Sequence, residues 1–207
     1  MFIYRYLIFF LAVLLGASWA QENLYGPDAP ADAAYVRVLH AAPDTAAVAP
    51  TLNGEALGEL GFAQLSSYGV FGAGPLAYGV ADLSGEQELR AGAFYTLVYT
   101  PEAILALEDE PLIDASRALL SLYNLTEFEA LTLQTAEGAD VITGVAPETA
   151  GSLSVNEAEV ALEVFAGEDR LGELPSELLE RGVAHSVFAL NGSQGPVIVY
   201  WPSSLAD

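Results

Sequence analysis

Hydrophobic and polar positions along this chain fall into short alternating runs, punctuated by glycine and proline. One run organises the rest: Tyr35-Val36-Arg37-Val38-Leu39-His40-Ala41, with a weaker copy at Leu119-Leu120-Ser121-Leu122-Tyr123-Asn124-Leu125. Side chains alternate between the faces of a strand, so Val36, Val38 and His40 share one face. Leu120, Leu122 and Asn124 take the same three places in the copy. A second pair follows, Arg90-Ala91-Gly92-Ala93-Phe94-Tyr95-Thr96-Leu97-Val98 and Glu180-Arg181-Gly182-Val183-Ala184-His185-Ser186-Val187-Phe188. The chain reads as one β-rich module written twice.

The first module is expected over residues 34–100. Thr51-Leu52-Asn53-Gly54-Glu55-Ala56 is a strand, an Asn-Gly hairpin turn and a strand. Glycines 69, 72, 74 and 79 mark further turns, and Phe94 to Tyr99 is the strongest strand. Residues 101–115 read as a linker, stiffened by Pro101 and Pro111 and carrying the acidic run Glu108-Asp109-Glu110, which is expected to stay in water. The second module is expected over residues 116–207. There Val160, Leu162 and Val164 face a core while Glu159 and Glu163 face solvent. Pro175-Ser176-Glu177-Leu178-Leu179-Glu180 reads as a single helical turn ended by Gly182. Many short strands with Gly/Pro turns predict an all-β protein of two tandem antiparallel β-sandwich modules joined by a short acidic linker.

The N-terminus reads differently. Arg5, the apolar run Leu7 to Leu15 and the small-x-small site Ser18-Trp19-Ala20 predict a signal peptide over residues 1–20, cleaved after Ala20. Residues 21–33 form an extended leader, kept out of a helix by Pro27 and Pro30. The expected destination is the periplasm.

Composition narrows the chemistry. The 207 residues hold no cysteine and no lysine; six arginines stand against 28 acidic residues, for a net charge of −22. Such a surface repels nucleic acid, anionic lipid and polyuronate, so direct polysaccharide binding is disfavoured and a protein with a basic face is the natural partner. Thiolate chemistry and a structural zinc site lack their ligands. Carboxylate runs such as Glu168-Asp169 read as solvated tips rather than metal sites, since no calcium-loop spacing is present. Acyl transfer needs a nucleophile, a base and an orienting carboxylate in contact. No Gly-x-Ser-x-Gly elbow, Gly-Asp-Ser motif or Asp-x-x-His pair occurs. The two histidines, His40 and His185, both fall within predicted strands and read as structural. The sequence predicts no catalytic residue, no metal and no cofactor.

The leader Leu24-Tyr25-Gly26-Pro27-x-Ala29-Pro30 and the strand Tyr35-Val36-Arg37-Val38 resemble the start of the mature AlgF family of alginate biosynthesis proteins. The resemblance continues in order through Tyr95-Thr96-Leu97-Val98, Glu108-Asp109-Glu110-Pro111 and Leu131-Thr132-Leu133-Gln134-Thr135-Ala136-x-Gly138. Two departures stand out: His40 replaces a family Asn, and the basic residues of the family's linker are missing. The resemblance implies a periplasmic, non-catalytic adaptor of alginate O-acetylation. Its implied partners are periplasmic SGNH-type O-acetyltransferases, which acetylate mannuronate, and the membrane-bound O-acyltransferase that supplies them. His40-Ala41-Ala42-Pro43-Asp44 also resembles a widespread exported bacterial β-domain, which speaks to fold alone. The alternative is an exported β-sandwich binding or adhesion module unrelated to alginate. Leu24, Tyr25 and Tyr35, large apolar groups beside a proline-rich leader, are the candidate partner-binding residues.

Overall fold

Alternating apolar runs between glycine turns do become strands throughout residues 30–203, the part described by the computed structural model. The expected signal peptide, most of the expected leader, and with them Leu24 and Tyr25, lie outside the described residues. The first half contains β1 (Ala33–His40), β2 (Thr51–Leu52), β3 (Glu55–Ala56), β4 (Gly69–Gly72), β5 (Gly74–Val80), β6 (Leu83–Leu89), β7 (Phe94–Tyr99) and β8 (Ile104–Asp109). The second contains β9 (Ala118–Leu125), β10 (Leu131–Thr135), β11 (Asp140–Val145), β12 (Thr149–Val155), β13 (Ala158–Ala166), β14 (Asp169–Leu179), β15 (Ala184–Gly192) and β16 (Gly195–Ser203). Among the described residues there is no helix.

The strands form four four-stranded sheets, ordered β4-β1-β7-β8 and β3-β2-β5-β6 in one half, β12-β9-β15-β16 and β11-β10-β13-β14 in the other. Raising every strand number of the first half by eight gives the second. The repeat read in the sequence is therefore a repeat of topology. One pairing in each half departs from the antiparallel pattern: β1 runs parallel to β7, and β9 to β15. Parallel neighbours need a long crossover, and here the outer sheet itself supplies it.

The faces of the inner strands show how the sheets stack. Val36, Val38, Tyr95 and Leu97 belong to the core of the first sandwich, and Leu120, Leu122, Val187 and Ala189 to that of the second. The opposite faces of the same strands meet in a third cluster, where Leu39 and Val98 pack with Tyr123, Phe188 and Leu190. The molecule is thus four sheets deep, with two inner sheets covered on both sides. That is why β1 and β9 read as nearly continuous apolar runs while the outer β6 alternates between half-buried and exposed positions.

Two expectations are corrected. Residues 104–109, expected within a linker, are β8, an edge strand of the inner sheet antiparallel to β7. Its last residue, Asp109, is 5% exposed rather than solvated, because the seam supplies it with partners. The helical turn expected at residues 175–180 is not formed: residues 175–179 lie within β14 and Glu180 follows it. The β13–β14 register slips between Val160 and Leu162, and this irregularity takes up Pro175 and Ser176 without breaking the strand.

Candidate functional site at the seam between the modules

β1 alternates, so Arg37 points away from the first sandwich core and into the seam, beside Leu39. It is 1% exposed, and a buried guanidinium requires partners for its donors. Nε donates to Thr96 Oγ1 at 2.9 Å; Nη1 donates to Ser203 Oγ at 3.1 Å. Nη2 donates to the Tyr123 hydroxyl and to Ser186 Oγ, each at 3.1 Å. The compensating charge is Asp109, 3.7 Å from Nη2. Its carboxylate accepts from the hydroxyls of Tyr68 at 2.7 Å, Thr96 at 2.6 Å and Tyr123 at 2.8 Å. Arg37 also lies over the Tyr68 ring, 4.6 Å from its centre. Burial raises the pKa values of Tyr68 and Tyr123, which keeps both phenols protonated as donors.

The duplication explains what surrounds this pair. Matched registers make Arg37, Tyr68, Thr96 and Asp109 the counterparts of Ser121, Ser152, Ser186 and Ser203. All four counterparts are serines. Two of them accept from Arg37, and Ser121 pairs with Ser152 at 2.8 Å. One half therefore supplies a charged set, and the other supplies hydroxyls at the same four places.

Both histidines are committed to structure. The Ala42 amide donates to His40 Nδ1 at 3.3 Å, so Nε2 carries the proton and faces the Ala46 carbonyl at 3.2 Å. Asn124 does the same at the end of β9, where its Oδ1 accepts the Thr126 amide at 3.1 Å. Histidine replaces asparagine in the first half because a ring nitrogen can take the same amide two residues on. His185 Nε2 faces the Glu180 carbonyl at 3.2 Å, and Nδ1 accepts from the Tyr200 hydroxyl at 2.6 Å. Its counterpart Tyr95 binds the amide of the equivalent Arg90 at 3.2 Å.

Tyr35, the candidate docking residue within the described chain, is half-buried and stacks on Phe94, with ring centres 4.3 Å apart. Phe94 in turn meets Tyr68 edge-on at 5.4 Å. An aromatic ladder thus runs from the rim of the seam to Arg37. The Arg37 set was missed in the sequence because its members are scattered along the chain; a charge inside the otherwise buried run Val36 to Ala41 was the available signal.

Every described arginine is engaged. Arg90 pairs with Glu108, Arg170 with Glu163 and Glu173, and Arg181 with Glu157, while Arg117 donates to the Ser154 carbonyl. The remaining carboxylates set the sign of the surface. Among the described residues no three acidic or histidine side chains converge to hold a metal. Two clefts open where the seam reaches the surface. One of about 450 Å³ lies between residues 110–114 and β12, and one of about 590 Å³ lies where β1, β7 and β9 end.

The model of the family described as alginate O-acetyl transferase AlgF matches residues 10–186. The alginate biosynthesis protein AlgF of Pseudomonas fluorescens is 30% identical over 191 residues, covering 91% of this chain and 86% of that protein. The Pseudomonas aeruginosa protein of that name is 30% identical over 194 residues, covering 92% and 88%. Among solved structures, the C-terminal domain of AlgF from P. aeruginosa matches at 28% identity, covering 42% of this chain and 98% of that one, with a TM-score of 0.39.

Proposed function

This chain belongs to the AlgF family of alginate biosynthesis proteins, and on that premise we propose that it is a non-catalytic adaptor of alginate O-acetylation. It acts in the periplasm through protein–protein contacts, holding SGNH-type O-acetyltransferases near the membrane-bound O-acyltransferase that supplies acetyl groups. The observation that carries this reading is how the chain uses its reactive side chains. Both histidines bind main-chain carbonyls, an amide and a phenol, and the four seam serines serve Arg37 or one another. A serine needs a base within hydrogen-bond reach to attack an acetyl ester. The four-layer body, locked by a buried charge pair, is suited instead to holding partners at fixed spacing.

We propose Leu24, Tyr25 and Tyr35 as partner-contact residues, of which Tyr35 lies in β1. Alanine at all three weakens partner binding, and Tyr35→Ala also loses a stack worth about 0.5–1.5 kcal/mol. The test is a deletion strain with parallel assays of the purified chain. We expect polymer still to be made but with less acetyl, and no turnover of a chromogenic acetyl ester. Fully acetylated alginate from the deletion strain, or turnover abolished by one serine substitution, would overturn the assignment.

A further inference from the structure

The open edge of β12 stands apart from the other edges of this molecule. Four open sheets have eight edge strands among the described residues. Edge strands are ordinarily blunted by charge, proline or shortness, because their unpaired main chain invites another strand. Seven of the eight comply: β3, β6, β8, β11 and β14 carry acidic residues, β16 carries Pro196 and Pro202, and β4 has only four residues. β12 reads Thr-Ala-Gly-Ser-Leu-Ser-Val over seven residues, with neither charge nor proline, and is exposed along most of its length.

The ladder fixes which of its groups are free. Leu119 spends its amide on the Val183 carbonyl, away from β12, so its register partner Ser154 also faces outward. By alternation, the N–H and C=O groups of Ala150 and Ser152 face outward too. Arg117 already occupies the Ser154 carbonyl at 2.7 Å. Ala150, Ser152 and Ser154 also line the 450 Å³ cleft, whose far wall is the connection after β8. That wall presents Ile113, 86% exposed, with the carboxylates of Glu110 and Asp114. On the other face of the strand, Leu153 is 43% exposed.

We propose that β12 is a β-augmentation site, which accepts an extended segment of a partner protein whose apolar side chains alternate with lysine or arginine. The added strand continues the sheet beyond β12, about 4.8 Å away. The basic side chains enter the cleft with their apolar stems along Leu112 and Ile113, and the alternating apolar side chains cover Leu153. Glu110 and Asp114 select for basic residues. The same charge disfavours a second copy of this chain, and the acidic leader, which holds Glu22, Asp28 and Asp32 and no basic residue. This inference rests on the adaptor reading for the partner's identity, but its geometry can be tested separately.

The full mature chain is mixed with a blocked octapeptide of alternating valine and lysine, and amide hydrogen exchange is followed residue by residue. Exchange at Ser152 should slow at least about tenfold, as expected when an open amide gains a ladder partner. A valine–glutamate peptide should give no protection. Ala150→Pro removes an outward N–H that the fold does not use, and Ile113→Lys reverses the wall; each should abolish protection while leaving the far-UV spectrum unchanged. Protection elsewhere, equal protection by both peptides, or protection that survives both substitutions overturns the site. Self-association that Ala150→Pro abolishes would reassign the edge to a second copy and overturn the proposal. In parallel, the acetyltransferases of the same system are tested on both chains. Equal binding to wild type and Ala150→Pro sinks the edge and leaves the adaptor reading intact. No binding to wild type sinks the adaptor reading, and the peptide result still decides the edge.

Discussion

At the residue scale, the dominant feature is one ion pair held out of water. Removing one member of a buried pair is far costlier than replacing both, because the survivor keeps its desolvation penalty. Asp109→Ala is expected to lower unfolding free energy by about 3–5 kcal/mol, read from urea denaturation. Arg37→Met with Asp109→Leu should recover a large part of that loss. His185 offers a second test. Burial pulls its pKa below the usual histidine range, and Glu180 and Glu177 offset this only in part. Burial also pushes Tyr200 up to about 12, so the phenol remains the donor to the neutral ring. A histidine that binds its proton less well when folded stabilises the fold above its unfolded pKa of about 6.5 and loses that contribution as pH falls through its lower folded value. The melting temperature should therefore drop on acidification below about pH 6.5, and the drop should be shallower in His185→Gln.

At the element scale, the turns set the register. The Asn53-Gly54 hairpin was legible in the sequence, and both residues take the positive φ that their turn needs, 50° and 84°. The turn joining β5 to β6 was not, because Ala81 adopts φ 53° with no side chain suited to it. Ala81→Gly should stabilise the protein by up to about 1 kcal/mol, measured by thermal melting, since an L-residue there bears the left-handed cost. The inner strands were legible as apolar runs with a polar residue at the end. What they did not disclose was a third packing layer, although Leu39 and Tyr123 left few positions in those runs for solvent. The edge strand β8 was hidden for the opposite reason. Local charge in Glu108-Asp109-Glu110 argued for solvent, and only groups distant in sequence, Arg37 and Tyr68, make Asp109 a buried residue.

At the scale of the whole molecule, the two sandwiches each hold a core of their own and share a third. Burying a large apolar side chain is worth roughly 1.5–3 kcal/mol, so exposing Tyr123, Phe188, Leu190 and Trp201 together would leave a strongly adhesive face. Residues 112–207 expressed alone should keep a β-type far-UV spectrum, because Leu131, Leu162 and Val187 stay buried within them. They should also self-associate in sedimentation experiments, unlike residues 21–207; a monodisperse monomer would show that the seam contributes little. The seam also has the form of a contact between equivalent surfaces. Equivalent strands meet face to face, as they do in an isologous dimer, where both subunits must present one identical patch. A single chain is free of that rule. One half can therefore carry a guanidinium and a carboxylate while the other carries serine at the same places, halving the number of ions the interior must hold. With the charged set on one side only, neither half can be replaced by a second copy of the other.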